Sequence, residues 1–196
     1  MKITKEQFKK IKAFAKKHLS KNDDWHNLFH VEQTVRLSIF LAKKEKADVD
    51  KCAIIAWLHD IKKRAKEDGR DHAKEGAERA RIFLTKIGLY NEDIDDICYA
   101  VYVHNKGVKK KTKEAQIIYD ADKLQAIGPY GILRAYGHSV IRKNSQARAY
   151  REFQNGQKMY MRGISTKTAK RIAREKFQLM KKFNKHYEDI LNIGKK

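Results

Sequence analysis

The chain has 196 residues, of which 41% are hydrophobic, with one proline and ten glycines. So little turn chemistry excludes an all-β sandwich, and the apolar share excludes a disordered chain. Lys and Arg number 45 against 24 Asp and Glu, a net charge of +21 that suits phosphorylated or otherwise acidic partners, although Lys-rich surfaces also serve solubility.

Phe8, Ile11 and Phe14/Ala15 recur at helical spacing and predict a first helix over residues 5–18. The polar run Ser20-Lys21-Asn22-Asp23-Asp24 ends it and can cap a second helix over residues 27–46. Asp48 is a good N-cap for a third, which runs into His59-Asp60. Charged residues 62–70 end in Asp68-Gly69 and read as a loop. Asp71 caps a fourth helix that stops at Gly88. Asn91 is expected to cap a fifth, with Glu92 and Asp93 in the first turn, where the helix dipole favours acids. Its apolar face, Ile94, Ile97 and Val101, continues to His104. A basic loop with the run Lys109-Lys110-Lys111 leads to a sixth helix over residues 114–127, ended by Gly128. Pro129 suits the first turn of a seventh. After a polar stretch, Ser165 or Thr166 caps a long last helix with Ala173, Phe177, Met180, Tyr187 and Leu191 on one face. No segment alternates with period two, so the predicted class is all-α, in a single domain over residues 1–196.

Cys52 and Cys98 sit in apolar helical patterns and are expected to be buried thiols of a reducing cytoplasm. Residues 1–17 carry charges every few positions, unlike a signal peptide, and no window approaches 18 apolar residues. The expected location is cytoplasmic, with no membrane partner.

The eight histidines are the most informative residues. His59-Asp60 ends the apolar run Ile54-Ile55-Ala56-Trp57-Leu58, where an unpaired charge would be costly. A divalent metal is one partner that would offset it. His26 and His30 are four apart and can share a helix face. Asp120-Ala121-Asp122 follows Ile117-Ile118, so Asp122 projects from a buried helix. Mixed His and Asp donors favour Mn, Fe, Zn, Ni or Co. Taken singly, each has a plainer explanation, a hydrogen-bonded core histidine or a helix cap. The ordered set is what carries weight.

The order His30, His59-Asp60, Asp122 resembles the HD-domain superfamily of metal-dependent phosphohydrolases. Three segments carry the likeness: Trp25-His26-Asn27-Leu28-Phe29-His30-Val31, Leu58-His59-Asp60-Ile61, and Asp120-Ala121-Asp122-Lys123-Leu124-Gln125-Ala126-Ile127-Gly128. The last resembles a segment of one subgroup of small bacterial and archaeal HD hydrolases. The resemblance implies an HD helical bundle over residues 20–140 and a helical extension over residues 141–196. It implies one divalent transition metal, manganese or one of its neighbours, held by His30, His59, Asp60 and Asp122. It gives Asp60 a catalytic part as well. Asp120 would be a helix cap or a group behind the ligands. His72 and His104 would contact substrate phosphate or donate a proton to the leaving group; the alternative is that they bind a second ion. Lys123 and Arg64 are candidates to hold the phosphate chain. Lys62-Lys63-Arg64 stands where relatives often carry acids, and Gln125 replaces an Asp, so the substrate is less constrained than the metal. His18, His138 and His186 are read as surface or packing residues.

The expected activity is hydrolysis of a phosphate ester or anhydride in a nucleotide or related phosphorylated metabolite. One alternative is a two-metal phosphodiesterase acting on cyclic nucleotides or nucleic-acid ends. Another is a basic nucleic-acid-binding module with a relict HD fold, supported by Lys109 to Lys111 and by Arg142, Lys143, Arg148 and Arg151, and disfavoured by the complete ligand set. The oligomeric state is left open.

Overall fold

The computed structural model describes residues 1–19, 27–63 and 69–194. Among these residues there are nine α-helices and no strand, so the fold is all-α as the periodicity predicts. His26, Arg64 and the polar run at residues 20–24 lie outside the described residues. The chain divides into two compact units, Met1–Ala121 and Asp122–Lys196, and the boundary falls inside one helix.

The first unit contains α1 (Lys5–Leu19), α2 (Leu28–Glu45), α3 (Val49–Leu58), α4 (His72–Lys86), α5 (Asn91–Val103) and most of α6 (Lys113–Leu124). Helix α3 is its centre, because every residue from Cys52 to Leu58 is buried. It packs on α2, α5 and α1, and α4 packs on α5. The sequence reads accordingly: α3 is apolar all round, as a helix enclosed on every side must be. Cys52 and Cys98 are free and buried, and burial pushes both thiols up, Cys98 to about 11.

Caps fix where these helices start. The Asn27 side chain accepts from His30 N at 3.2 Å, Asp48 accepts from Lys51 N at 2.9 Å, and Asp71 accepts from Ala73 N and Lys74 N at 3.0 and 3.1 Å. Asp48 and Asp71 act as their sequence positions predict. Asn91 does not cap α5: it is the first helical residue, and Tyr90, in an extended conformation, is the N-cap without a side-chain bond. Asp120 is no cap either. It lies well inside α6 and is fully buried.

The second unit holds the end of α6, then α7 (Pro129–Ile141), α8 (Gln146–Gly163) and α9 (Lys167–Asn192). The polar stretch before the last helix is itself the helix α8, capped by Ser145 Oγ, which accepts from Arg148 N at 3.3 Å. Thr166 rather than Ser165 is the N-cap of α9. Gly128 turns the chain between α6 and α7 with φ +86°, a conformation side chains rarely adopt. Lys176 of α9 donates to the Leu124 carbonyl at 3.0 Å and so caps α6. One core cluster here is Tyr150, Phe153 and Met180, with Ile132, Ala135, Phe183 and Tyr187 partly buried around it; Leu124, Ile127, Ile164, Ala169 and Ala173 are also buried. Among the described residues, no helix is long and apolar enough to cross a membrane.

Candidate metal centre

Four imidazoles of the first unit converge on one carboxylate. His30 stands in the first turn of α2 and His59 is the C-cap of α3. Asp60 follows in a turn, His72 opens α4, and His104 is the C-cap of α5. Exposure is 1% for His30, 0% for His59, 2% for His104 and 4% for Asp60, while the His72 side chain is 16% exposed. Asp60 Oδ2 lies 3.4 Å from His59 Nε2 and 3.7 Å from His30 Nε2. Its other oxygen, Oδ1, lies 3.4 Å from His104 Nε2 and 3.6 Å from His72 Nε2. Asp60 therefore stands at the middle of two histidine pairs, one for each carboxylate oxygen.

Two of the rings are fixed by the same local device. His59 Nδ1 is 2.8 Å from the Ala56 carbonyl, and His104 Nδ1 is 2.7 Å from the Val101 carbonyl, each three residues back. A carbonyl only accepts, so Nδ1 carries a proton in both rings and Nε2 faces Asp60: protonated, it donates to the carboxylate, and deprotonated, it offers its lone pair to a cation. A helix that ends in histidine makes this bond from its own last turn. That is why both residues are C-caps.

The donor set fits a metal ion. His59 Nε2 and His30 Nε2 approach to 3.4 Å in a buried space, close enough for one cation to take a lone pair from each ring. Asp60, His72 and His104 each offer a donor atom, all within 4.8 Å of one another, and make a second group with ligand-like spacing. Nitrogen and carboxylate donors together suit first-row transition metals better than Ca or Mg.

The charge state of Asp60 is set by its neighbours. Burial opposes ionisation, but His59 and hydrogen bonds from His104 and His59 outweigh it and hold the carboxyl well below its usual range. His72 behaves oppositely. Burial takes it down to about 4 although Asp60 pulls upward, so the imidazole is neutral at pH 7.

Three contributors escaped the sequence reading. The Asn105 amide nitrogen is 3.4 Å from His72 Nε2. Lys106 Nζ donates to Asp71 Oδ2 at 2.7 Å, so the residue that caps α4 is also tied to the loop after His104. Thr34 Oγ1 donates to the His30 carbonyl at 2.9 Å. The Asp71 cap was legible, but its partner, 35 residues away, was not. Of the remaining predicted residues, Asp122 and Lys123 lie near the end of α6, in the second unit. Asp122 is buried, and Lys123 Nζ donates to its Oδ2 at 2.6 Å. The Lys123 ammonium is also 5.4 Å from the centre of the Tyr160 ring. His18 Nδ1 bonds the Phe14 carbonyl at 2.8 Å, a packing role.

Helical architecture, a histidine followed by a His-Asp pair, and a buried carboxylate among imidazoles define a hydrolase fold of the HD superfamily. The HD domain family model matches residues 28–127, and the chain belongs to that family. It is 26% identical over 204 residues to the uncharacterized protein YpgQ of Bacillus subtilis (strain 168), with 96% of each chain covered. The crystal structure of B. subtilis YpgQ in complex with ADP superposes with a TM-score of 0.77 at 22% identity, covering 94% of both chains. A predicted HD superfamily hydrolase from an uncultured Thermotogales bacterium superposes with a TM-score of 0.71 at 25% identity, covering 94% of this chain and 93% of that one.

Proposed function

We propose that the protein is a metal-dependent phosphohydrolase that cleaves a phosphate ester or anhydride bond in a nucleotide or related phosphorylated metabolite. The observation that carries this reading is the buried Asp60 carboxylate with an imidazole pair at each oxygen. His30, His59, Asp60 and Asp122 would hold one divalent transition metal, Mn, Fe, Co, Ni or Zn. Bound there, the ion supplies a Lewis acid that makes water nucleophilic near neutral pH and neutralises phosphate oxygens.

The protein's own residues do the rest. The imidazoles around Asp60 hold its carboxyl well below the usual carboxylate range, so it would oppose the cation as a carboxylate. The Ala56 carbonyl keeps the His59 lone pair pointed inward, and second-layer bonds of this kind set ligand orientation. His72 is the most exposed imidazole of the group, so it faces incoming substrate as a neutral hydrogen-bonding ring. His104, fixed through Val101, is placed to pass a proton to the leaving group. Lys123 and Arg64 would hold the remaining phosphates, Lys123 by exchanging its contact with Asp122. The ADP held by YpgQ supports a nucleotide as the substrate class. The expected location is the cytoplasm.

A second reading, a two-metal phosphodiesterase, is favoured by the separate grouping of Asp60, His72 and His104. Elemental analysis of the purified protein, beside a His59→Ala/Asp60→Ala variant, decides between them. About one metal per chain with phosphate release from nucleoside di- or triphosphates is the expected result; loss of both in the variant completes it. About two metals per chain would move the reading to the phosphodiesterase. No metal after incubation with Mn or Ni would overturn both.

A further inference from the structure

The second unit carries most of the excess charge: 18 Lys and Arg against 5 Asp and Glu, a net +13 in 75 residues. Its longest helix, α9, concentrates that charge on one face. Lys167, Lys170, Arg174, Lys181 and Lys185 are all exposed. At 100° per residue they fall within about 60° of one line along the helix, and Gln178 lies on the same line. Arg171 and Lys182 flank it, also exposed. From Lys167 to Lys185 the stripe rises through 18 residue steps, about 27 Å. The buried residues Ala169, Ala173 and Met180 lie on the opposite face.

The cations are not consumed by intramolecular pairs. Arg171 is bonded to Glu175 at 2.9 Å, and Lys181 lies 5.5 Å from the Phe177 ring centre. Among the described residues, no carboxylate pairs with Lys167, Lys170, Arg174 or Lys185. Glu188, near the end of the helix, is engaged by the Tyr150 hydroxyl at 2.9 Å and by Gln154 at 3.2 Å.

We propose that the exposed face of α9 binds the phosphate backbone of a nucleic-acid duplex, as a function separate from hydrolysis. A row of unpaired cations along about 27 Å matches the spacing of a regularly charged polymer better than that of a small anion. The one aromatic ring bordering the stripe, Phe177, is half-buried with the Lys181 ammonium 5.5 Å from its centre, which leaves little face for unpaired bases and favours duplex over single strand. It holds no apolar residue to enter a bilayer; the exposed Leu179 lies about 100° round the helix from Gln178. With one polar non-cationic side chain on the stripe, the contact reads backbone and not sequence.

The test uses the full chain and a fluorescent 20-base-pair DNA duplex of arbitrary sequence, followed by anisotropy against salt. Neutralising about five phosphates predicts a slope near −4.5 in log K against log salt, hence about a 500-fold loss of affinity from 50 to 200 mM. Replacing the five stripe cations by Gln should remove this slope. Replacing five exposed lysines of the first unit, Lys5, Lys9, Lys43, Lys44 and Lys86, by Gln removes the same charge and should leave most of it. Arginine at the four stripe lysines should retain binding, and circular dichroism verifies that each variant is helical. Phosphate release from a small nucleotide should be unchanged in the stripe variant. Equal loss in the two Gln variants would overturn the proposal, because net charge alone would then explain binding. So would capture by phosphatidylserine vesicles without duplex binding, or no binding to either.

Discussion

The two units of this chain treat charge in opposite ways. The first has 27 Lys and Arg against 19 Asp and Glu, a net +8 over 121 residues, and its acids are in use. Asp48 and Asp71 cap helices, Asp93 and Asp96 hold Lys51 at 3.0 and 2.7 Å, and Asp60 anchors the histidines. The second unit has few acids, and the cations Lys167, Lys170, Arg174, Lys181 and Lys185 along α9 face water. Their cores differ in the same sense. The first buries a continuous set that includes Ile11, Ile54, Ile55, Leu58, Leu84 and Ile97, each fully shielded. In the second, Tyr150, Phe153 and Met180 form one cluster whose flanking residues are only partly buried. A metal centre of the kind proposed needs ligands held to a fraction of an ångström, and only a densely packed scaffold provides that. A charged surface for a polymer needs no such precision from the packing beneath it.

The largest expected effects sharpen that contrast directly. Ile54→Ala opens a cavity against α3, where every neighbour is enclosed, and is expected to cost about 2–5 kcal/mol, toward the upper end. Met180→Ala removes a side chain of similar size from a cluster whose partners Phe183 and Tyr187 are only partly buried and can close in. Its cost is expected at the lower end of the same range. Urea unfolding of the two variants measures both. Equal losses would break the comparison, since the second core would then be as constrained as the first.

An intermediate effect tests how the first unit positions its site. Lys106 ties the Asp71 cap to the loop after His104, and its ammonium lies 4.4 Å from the Tyr102 ring centre. Lys106→Met keeps the length and removes the tie. Phosphate release should fall about tenfold in kcat with KM little changed, as expected for a residue behind the reacting groups. A rise in KM alone would mean that Lys106 meets substrate, and an unchanged kcat would remove it from the site.

Local chemistry was legible in the sequence and long-range chemistry was not. The caps at Asp48 and Asp71 act within three residues, so their side chains announce the helix starts they bond. The His-Asp pair was visible because it ends an apolar run, and burial there demands compensation. Helix α8 was missed because its buried residues, Ala149, Tyr150, Phe153 and Gln157, are scattered among Arg, Gln and Asn. The facing helices α7 and α9 make that face a core. Asn91 was misread as a cap because its residue type favours the role, while the backbone turns one residue earlier, at Tyr90. The four-histidine arrangement about Asp60 required α2, α3, α4 and α5 to be packed, and no spacing in the sequence states that packing.

The smallest effect separates a cap from a charge. Asp48 Oδ1 accepts from Lys51 N at 2.9 Å, and its other oxygen meets the terminal ammonium of Met1. Burial opposes its ionisation, but the Lys51 backbone bond and the Met1 ammonium hold the carboxyl below the ordinary 3.8. A carboxyl depressed on folding adds stability that is present above 3.8 and is lost as pH falls through the lower folded value. Asp48→Ala loses both cap and charge and is expected to cost about 1 kcal/mol at pH 7. Asp48→Asn keeps a capping oxygen and loses only the charge, so it should cost less. Its deficit should vanish as the wild-type carboxyl is protonated, while part of the Ala deficit persists. In α9, by contrast, Lys182→Gln should shift stability by less than about 0.5 kcal/mol, because this exposed cation holds nothing in the folded chain. Thermal unfolding between pH 2 and 7 follows all three. An Asn deficit that stays constant over that range would show that the Met1 ammonium contributes nothing, and Asp48 would then act only as a cap.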